Sequence, residues 1–320
     1  MLDVFLTVDV EIWCDGWENL DAKFPDAFRR YVYGQTPHGD YGLPYQTRAL
    51  RDHGLRGVFF VEPLFATRFG TDPLEEIVGL LKQADQEIQL HLHTEWADEA
   101  EPKLLSSIDR KVQFLHMLSM EDQAHLIGLG AALLRDAGGG SIRAFRAGSF
   151  GFNRASLTAL RNNGIEFDSS YNASTSGPQS GVLPGTVVTD SCLVDGVYEY
   201  PMTVFSDGTS ALRHVQLTAC SSREIERLMW RALETERRSF VLLSHNFELL
   251  NAKRNSVDPV VVDRFEKLCS FLDKNRDCFR VSGFSDLNAV YADAQPPPLS
   301  SPLWTTAARM VEQLSRRRYG

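Results

Sequence analysis

The chain has 320 residues, 43% hydrophobic and 23% charged, an ordinary balance for a globular protein long enough to bury a large core. Its formal net charge of −9 excludes a general nucleic-acid binder, and no basic patch with interleaved aromatics opposes that conclusion. The five cysteines (Cys14, Cys192, Cys220, Cys269 and Cys278) are scattered, odd in number and free of Cys-x-x-Cys pairs, which suits reduced thiols in the cytoplasm.

At the N-terminus no basic region precedes the apolar segment, and Asp3 and Asp9 interrupt it. No signal peptide is expected, no apolar run approaches the roughly 18 residues of a membrane span, and the expectation is a soluble cytoplasmic protein. Val4, Phe5, Leu6 and Val8 form an apolar run of strand length. Asp9 and Glu11 follow at i and i+2, so in an extended chain their carboxylates share a face. Such a pair needs a cation between its members or a retained proton, unless both are solvated at a strand-to-loop junction.

Residues 14–42 read as a long loop with Trp13 just before it and Trp17, Phe24, Phe28, Tyr31, Tyr33 and Tyr41 among Asp and Gly. A loop of that length is often a lid, and its rings either stack on sugar faces or form a satellite core. A helix is expected over 43–53, a buried strand over 57–62, and a helix from Asp72 with Leu74, Ile77, Val78 and Leu81 on one face. Residues 87–91 form a third strand. Ser119 opens a helix to about Ala137, residues 142–146 a strand, Asn153 caps a helix, and residues 165–168 resume a strand. Residues 169–184 are loop. Strands are expected over 197–201, 214–218, 240–244 and 279–282, and helices after Ser221 and over 260–272. Alternating strands and helices imply parallel pairing, and seven or eight strands favour a barrel. The barrel spans 1–292, a stiff Pro-rich linker 293–302, and a basic amphipathic tail 303–320. That tail places Leu303, Ala307, Met310, Val311 and Leu314 on one side and Arg316 to Arg318 at its end. It is a helix terminus with favourable charges or a weak membrane-surface contact.

The third strand reads Glu87-Ile-Gln-Leu-His91-Leu-His93-Thr-Glu95-Trp. His91 and His93 alternate onto one face and Glu95 follows. With Asp9 and Glu11 at another strand end they offer two histidines and a carboxylate, a set that suits catalytic zinc or ferrous iron. Arg146, entering a glycine-bearing turn, Asp168-Ser-Ser-Tyr171 and Leu243-Ser-His245 fall at further strand ends. In a parallel barrel these ends share one rim. His245 has the pKa range of a general acid or base.

The order of these five spots resembles the polysaccharide deacetylase family, the NodB-homology or carbohydrate esterase type, over about residues 4–290. Its motifs look like Asp9-Val-Glu11, His91-Leu-His93-Thr-Glu95, Arg146-Ala-Gly-Ser-Phe-Gly151, Asp168 to Tyr171 and Leu243-Ser-His245. The acidic pair is Asp-x-Glu, Glu95 stands at the usual second-histidine position, and no proline follows Arg146, which marks a divergent branch. The resemblance implies an α/β fold, a distorted (β/α) barrel of about seven parallel strands, that removes an N-acetyl or O-acetyl group from a carbohydrate or sugar precursor. It implies Asp9 as base, His245 as acid, Arg146 as the orienter of Asp9, and Glu11, His91 and His93 as ligands of a divalent metal, zinc by its donor set. Glu95 is the alternative third ligand. A catalytically silent carbohydrate-binding relative and a ferrous oxygenase are the competing readings.

Overall fold

A computed structural model describes residues 1–108, 110–208 and 211–316. Nine strands, β1 (Leu2–Val10), β2 (Val58–Val61), β3 (Glu87–Leu92), β4 (Ala144–Ala147), β5 (Phe167–Asp168), β6 (Cys192–Val194), β7 (Val197–Glu199), β8 (Ser239–His245) and β9 (Phe279–Val281), form one sheet. Its order is β8-β1-β2-β3-β4-β5-β7-β6, with β9 also on β1. Every ladder is parallel except the β6–β7 hairpin, and the sheet curls into a half-barrel. The expected α/β class and the largely parallel, barrel-like sheet are what the structure shows.

All nine residues of β1 are buried, as an apolar strand flanked by crossover helices requires. It pairs with β8 from Asp3↔Ser239 to Asp9↔His245 and with β2 from Thr7↔Val58 to Val10↔Val61. On its other edge β8 is met by residues 215–217, through Leu243 N–H to the Val215 carbonyl and Leu217 N–H to the Leu243 carbonyl, 3.0 Å each. The expected strand over 214–218 is therefore shorter and earlier, Leu212–His214, followed by a bridge from Gln216 to Leu243. Strand β6 was not read from the sequence, although Asp195-Gly196 marks it. Both residues have positive φ (52° and 86°), the requirement of a two-residue I′ hairpin turn.

The helices follow their sequence signals. Ser119 Oγ accepts from Asp122 N–H, Asn153 Oδ1 from Ser156 N–H and Ser221 Oγ from Glu224 N–H, at 3.1, 3.1 and 3.3 Å. The helix Asp72–Gln83 buries Leu74, Ile77, Val78 and Leu81, the face its spacing prescribes.

Residues 14–42 depart from the loop reading. They hold a helix at Leu20–Phe28 that widens into a π-turn at Arg29–Tyr33, then a short hairpin. Leu20, Phe24, Phe28, Tyr31 and Val32 are buried at helical spacing in the main core. Pro25 inside this helix is what hides it from a sequence reading. Tyr31 is 1% exposed and packs edge-on against Phe247, so it is core. Tyr31→Ala is expected to cost roughly 3 kcal/mol in denaturant unfolding, the scale for removing a buried ring. Trp17→Ala, whose ring is half-buried beneath the Lys111 ammonium, is expected to change KM more than stability. Reversed ranks would return Tyr31 to the lid.

The Pro-rich stretch lies against the barrel. Gln295 Oε1 accepts the N–H groups of Thr189 and Asp190, and Leu299–Ser300 pairs with Val204–Ser206. The helix Leu303–Arg316 is docked by Arg309, which is buried between Asp207 (2.7 Å) and Glu224 (2.6 Å). Residues 317–320, including Arg317 and Arg318, and the side chains of Leu303, Ala307, Val311 and Leu314 lie outside what is described. Among the described residues no helix is long and apolar enough to cross a membrane.

Candidate active site

The C-terminal ends of β1, β3, β4, β5 and β8 bring Asp9, Glu11, His91, His93, Arg146, Asp168 and His245 to one rim. All but His245 are buried, and its side chain is 19% exposed. Glu11 is the hub. Its Oε1 lies 3.1 Å from His91 Nε2, 2.9 Å from His93 Nε2 and 3.9 Å from His245 Nε2. Its other oxygen accepts from the Trp13 indole at 2.7 Å. The Asn246 side chain grips the Glu11 backbone from both sides, accepting its N–H and donating to its carbonyl at 3.1 Å each.

The donor atoms of Glu11, His91 and His93 lie within 4.8 Å of one another. Each ring's Nδ1 faces an acceptor, His91 on the Arg146 carbonyl at 2.8 Å and His93 on Glu95 at 3.3 Å. Such contacts fix the tautomer that leaves Nε2 free as a ligand. The donor set therefore fits a divalent cation of the zinc type. It also places Glu95 behind His93, where it orients the ring. Asp9, Glu11 and His245 form a second cluster of the same span. There, however, Asp9 Oδ1 already meets Arg146 Nη1 at 2.6 Å, and His245 is the member open to solvent.

Electrostatics follow the packing. Burial pushes the Glu11 carboxyl up, but the His93 charge, hydrogen bonds from His91 and His93 and the His245 charge hold it well below the usual range. Burial pushes His93 down, and Glu11 and Glu95 overcome this to raise it to about 10. His245 is likewise lowered by burial. Its Nδ1 lies 2.8 Å from Glu248, and that contact with the charges of Glu11, Glu248 and Asp9 lifts it to about 9.

Arg146 is 0% exposed and anchors the opposite wall. It donates to Asp9, to Thr7 Oγ1 (2.9 Å), and to the Ser169 carbonyl (3.1 Å) and hydroxyl (3.0 Å), and it lies 4.3 Å above the Phe60 ring. Behind it Asp168 and Glu199 are register partners on β5 and β7, both fully buried. Burial raises Asp168 to about 6, and burial with the Asp168 charge raises Glu199 well above the usual range, so the two share a proton near neutrality.

Three residues at this rim were not read from the sequence. Glu248 stands three residues after His245, a spacing that could have revealed it. Trp13 was read only as a loop aromatic. Glu62 directly follows β2 at the same rim, and burial lifts it to about 8.

No family model and no curated protein sequence matches the chain. Its fold does find likenesses among solved structures. A protein of Mycobacterium smegmatis assigned to the polysaccharide deacetylases superposes with a TM-score of 0.54 at 17% identity, over 88% of this chain and 87% of that one. The chain has the NodB-homology deacetylase fold. Looser likenesses include a family 4 carbohydrate esterase from Streptomyces lividans in complex with acetate (TM-score 0.44, 14% identity, 92% of this chain and 98% of that one). Another is a family 4 pseudoenzyme from Bacillus anthracis (TM-score 0.40, 12% identity, 86% and 60%). At such identities the NodB-homology likeness speaks for fold, and activity has to be argued from side chains.

Proposed function

We propose that the protein is a metal-dependent deacetylase that hydrolyses an N-acetyl or O-acetyl group on a carbohydrate or sugar precursor. The observation that carries this reading is the convergence of Glu11, His91 and His93 on one point, flanked by a carboxylate bound to arginine and a histidine bound to glutamate. Glu11, His91 and His93 would hold the cation, with zinc the best match to one carboxylate and two imidazoles. When bound there, a divalent cation supplies Lewis acidity towards the acetyl carbonyl and acidifies water.

The chain's own groups do the rest. Asp9 accepts the proton of the attacking water, and Arg146 fixes the orientation of its carboxylate. His245, held by Glu248 on Nδ1, presents its Nε2 proton to the leaving amine or alcohol. The partial exposure of His245 supports this role, because an acid must reach the substrate. A cytoplasmic setting is supported by the cysteines, all five unpaired.

The test is metal content together with acetate release from a panel of acetylated sugars and nucleotide sugars. Near-stoichiometric zinc in the parent and its loss from His91→Ala are expected, with activity abolished by chelation and restored by zinc. Full metal in His91→Ala would overturn the ligand set. A metal-free parent that binds sugars without releasing acetate would make it a silent relative. Glu95→Ala should keep the metal.

A further inference from the structure

Beside His245 lies a cavity of about 270 Å³ lined by His245, Phe247, Glu248, Gln216, Arg254 and Arg316 among others. That is slightly under the roughly 300–1,000 Å³ of a complete small-molecule pocket, and suits one subsite. Of its charged groups, Glu248 is engaged by His245 and Gln216, and Arg316 by Asp258 and the Thr218 carbonyl. Arg254 differs. Among the described residues no carboxylate pairs with it, and its buried Nε has no hydrogen-bond partner.

Aromatic rings nonetheless hold it in place. The guanidinium carbon lies 4.6 Å from the Phe247 ring centre and 4.9 Å from that of Tyr31, and Phe247 in turn stacks on His245 at 5.3 Å. Cation–π contacts of this kind hold a guanidinium without using its N–H donors. The backbone supports the same position. Arg254 has φ 52°, uncommon for a long side chain, in a loop closed by hydrogen bonds between Asn251 and Arg254, Asn255 and Ser256. A strained backbone presenting a cation with free donors beside a proton-transfer residue is a feature expected of a binding site.

We infer that Arg254 binds an oxyanion, a carboxylate or a phosphate, on the sugar from which the acetyl group is removed. The inference rests on the deacetylase reading at one point: His245 protonates the leaving group, so the sugar lies on the His245 side, where this cavity opens. A guanidinium fork matches either oxyanion through two parallel hydrogen bonds, and neutral hydroxyls gain less from it. The substrate class is thus an anionic acetylated sugar, and the overall charge of −9 does not oppose this, since the cation is local.

The experiment compares kcat/KM for N-acetylglucosamine, N-acetylglucosamine 1-phosphate and N-acetylglucosaminuronate, with calorimetric binding of glucosamine 1-phosphate and glucosaminuronate alongside. The parent should prefer an anionic substrate, and Arg254→Gln should reduce its anionic-to-neutral ratio by about tenfold to a hundredfold, the scale of a charge-assisted hydrogen bond, chiefly through KM. Arg254→Lys should recover part of the ratio, which a merely structural role would not produce. The arm that shows the preference identifies phosphate or carboxylate as the group bound. Equal kcat/KM for charged and neutral sugars in the parent, or equal losses on all three in Arg254→Gln, would overturn the inference. Absence of acetate release with Arg254-dependent calorimetric binding would sink the deacetylase reading and leave the anion site standing. Acetate release without Arg254-dependent binding would do the reverse.

Discussion

Arg146→Ala is expected to lower the unfolding free energy by about 3–5 kcal/mol, the scale for breaking a buried ion pair from one side. Its guanidinium has no exposure, and its loss strands the Asp9 carboxylate and the hydrogen bonds to Thr7 and Ser169 in a dry interior. It also removes the positive charge that restrains Asp168 and Glu199, whose raised pKa values then rise further. For carboxyls raised in the folded state, the sign runs one way: their stabilisation is complete at low pH and lost as pH climbs through the folded values. The variant should therefore be better preserved in mild acid than at neutral pH, relative to its parent. Arg146→Lys should restore part of the stability through its charge and little of the activity, because a single ammonium cannot reproduce the fork to Asp9, Thr7 and Ser169. Chemical denaturation of both variants at two pH values checks this. A loss under 1 kcal/mol would show that Arg146 is not the counter-charge of this wall.

The second large effect concerns proton transfer. Asp9→Asn and His245→Ala should each reduce kcat by about 10²–10⁴, the usual contribution of a positioned acid or base, while both keep the metal. His245→Ala should lose much less on an aryl acetate, whose leaving group needs no proton, than on an acetamido sugar. Equal losses would make His245 a ligand or a structural residue. The pH profile adds an independent reading. As the proposed acid, His245 would act in its protonated form, which its surroundings hold up to about 9, so kcat should fall as pH rises through that value, or below it where a bound cation lowers it. Glu248→Gln removes the partner that stabilises the imidazolium and should move this alkaline limb to lower pH. An unmoved limb would deny Glu248 its positioning role.

Much of this architecture could be read from residue order because the information was local. Asp9 with Glu11 and His91 with His93 sit at strand ends, where period-two alternation decides their face without reference to the rest of the fold. The helices announced themselves through Ser119, Asn153 and Ser221. What escaped reading depended on partners distant in sequence or on masked local signals. Arg309 looks like part of a basic tail until Glu224 and Asp207, 85 and 102 residues away, close around it. The Asp168–Glu199 pair exists only through the β5–β7 register. Pro25 concealed a helix whose apolar spacing is plain once the proline is tolerated. Glu248 was within reach, three residues from a histidine already singled out.

Asp9 and His245 occupy opposed positions of β1 and β8, so the backbone separation of the proposed base and acid is the strand spacing of a sheet, about 4.8 Å, and is set by no loop. The backbone frame of the proposed reaction is in effect a lattice constant, insulated from changes at exposed surface positions. New specificities should therefore be reachable by rewriting the exposed positions Ala252, Lys253 and Asn255 beside Arg254, while Asn246 and Glu248, which hold Glu11 and His245, are kept. Insertions inside the strands should be intolerable: one extra residue ahead of Asp9 would rotate both carboxylates off the rim and set Val8 and Val10 in their places.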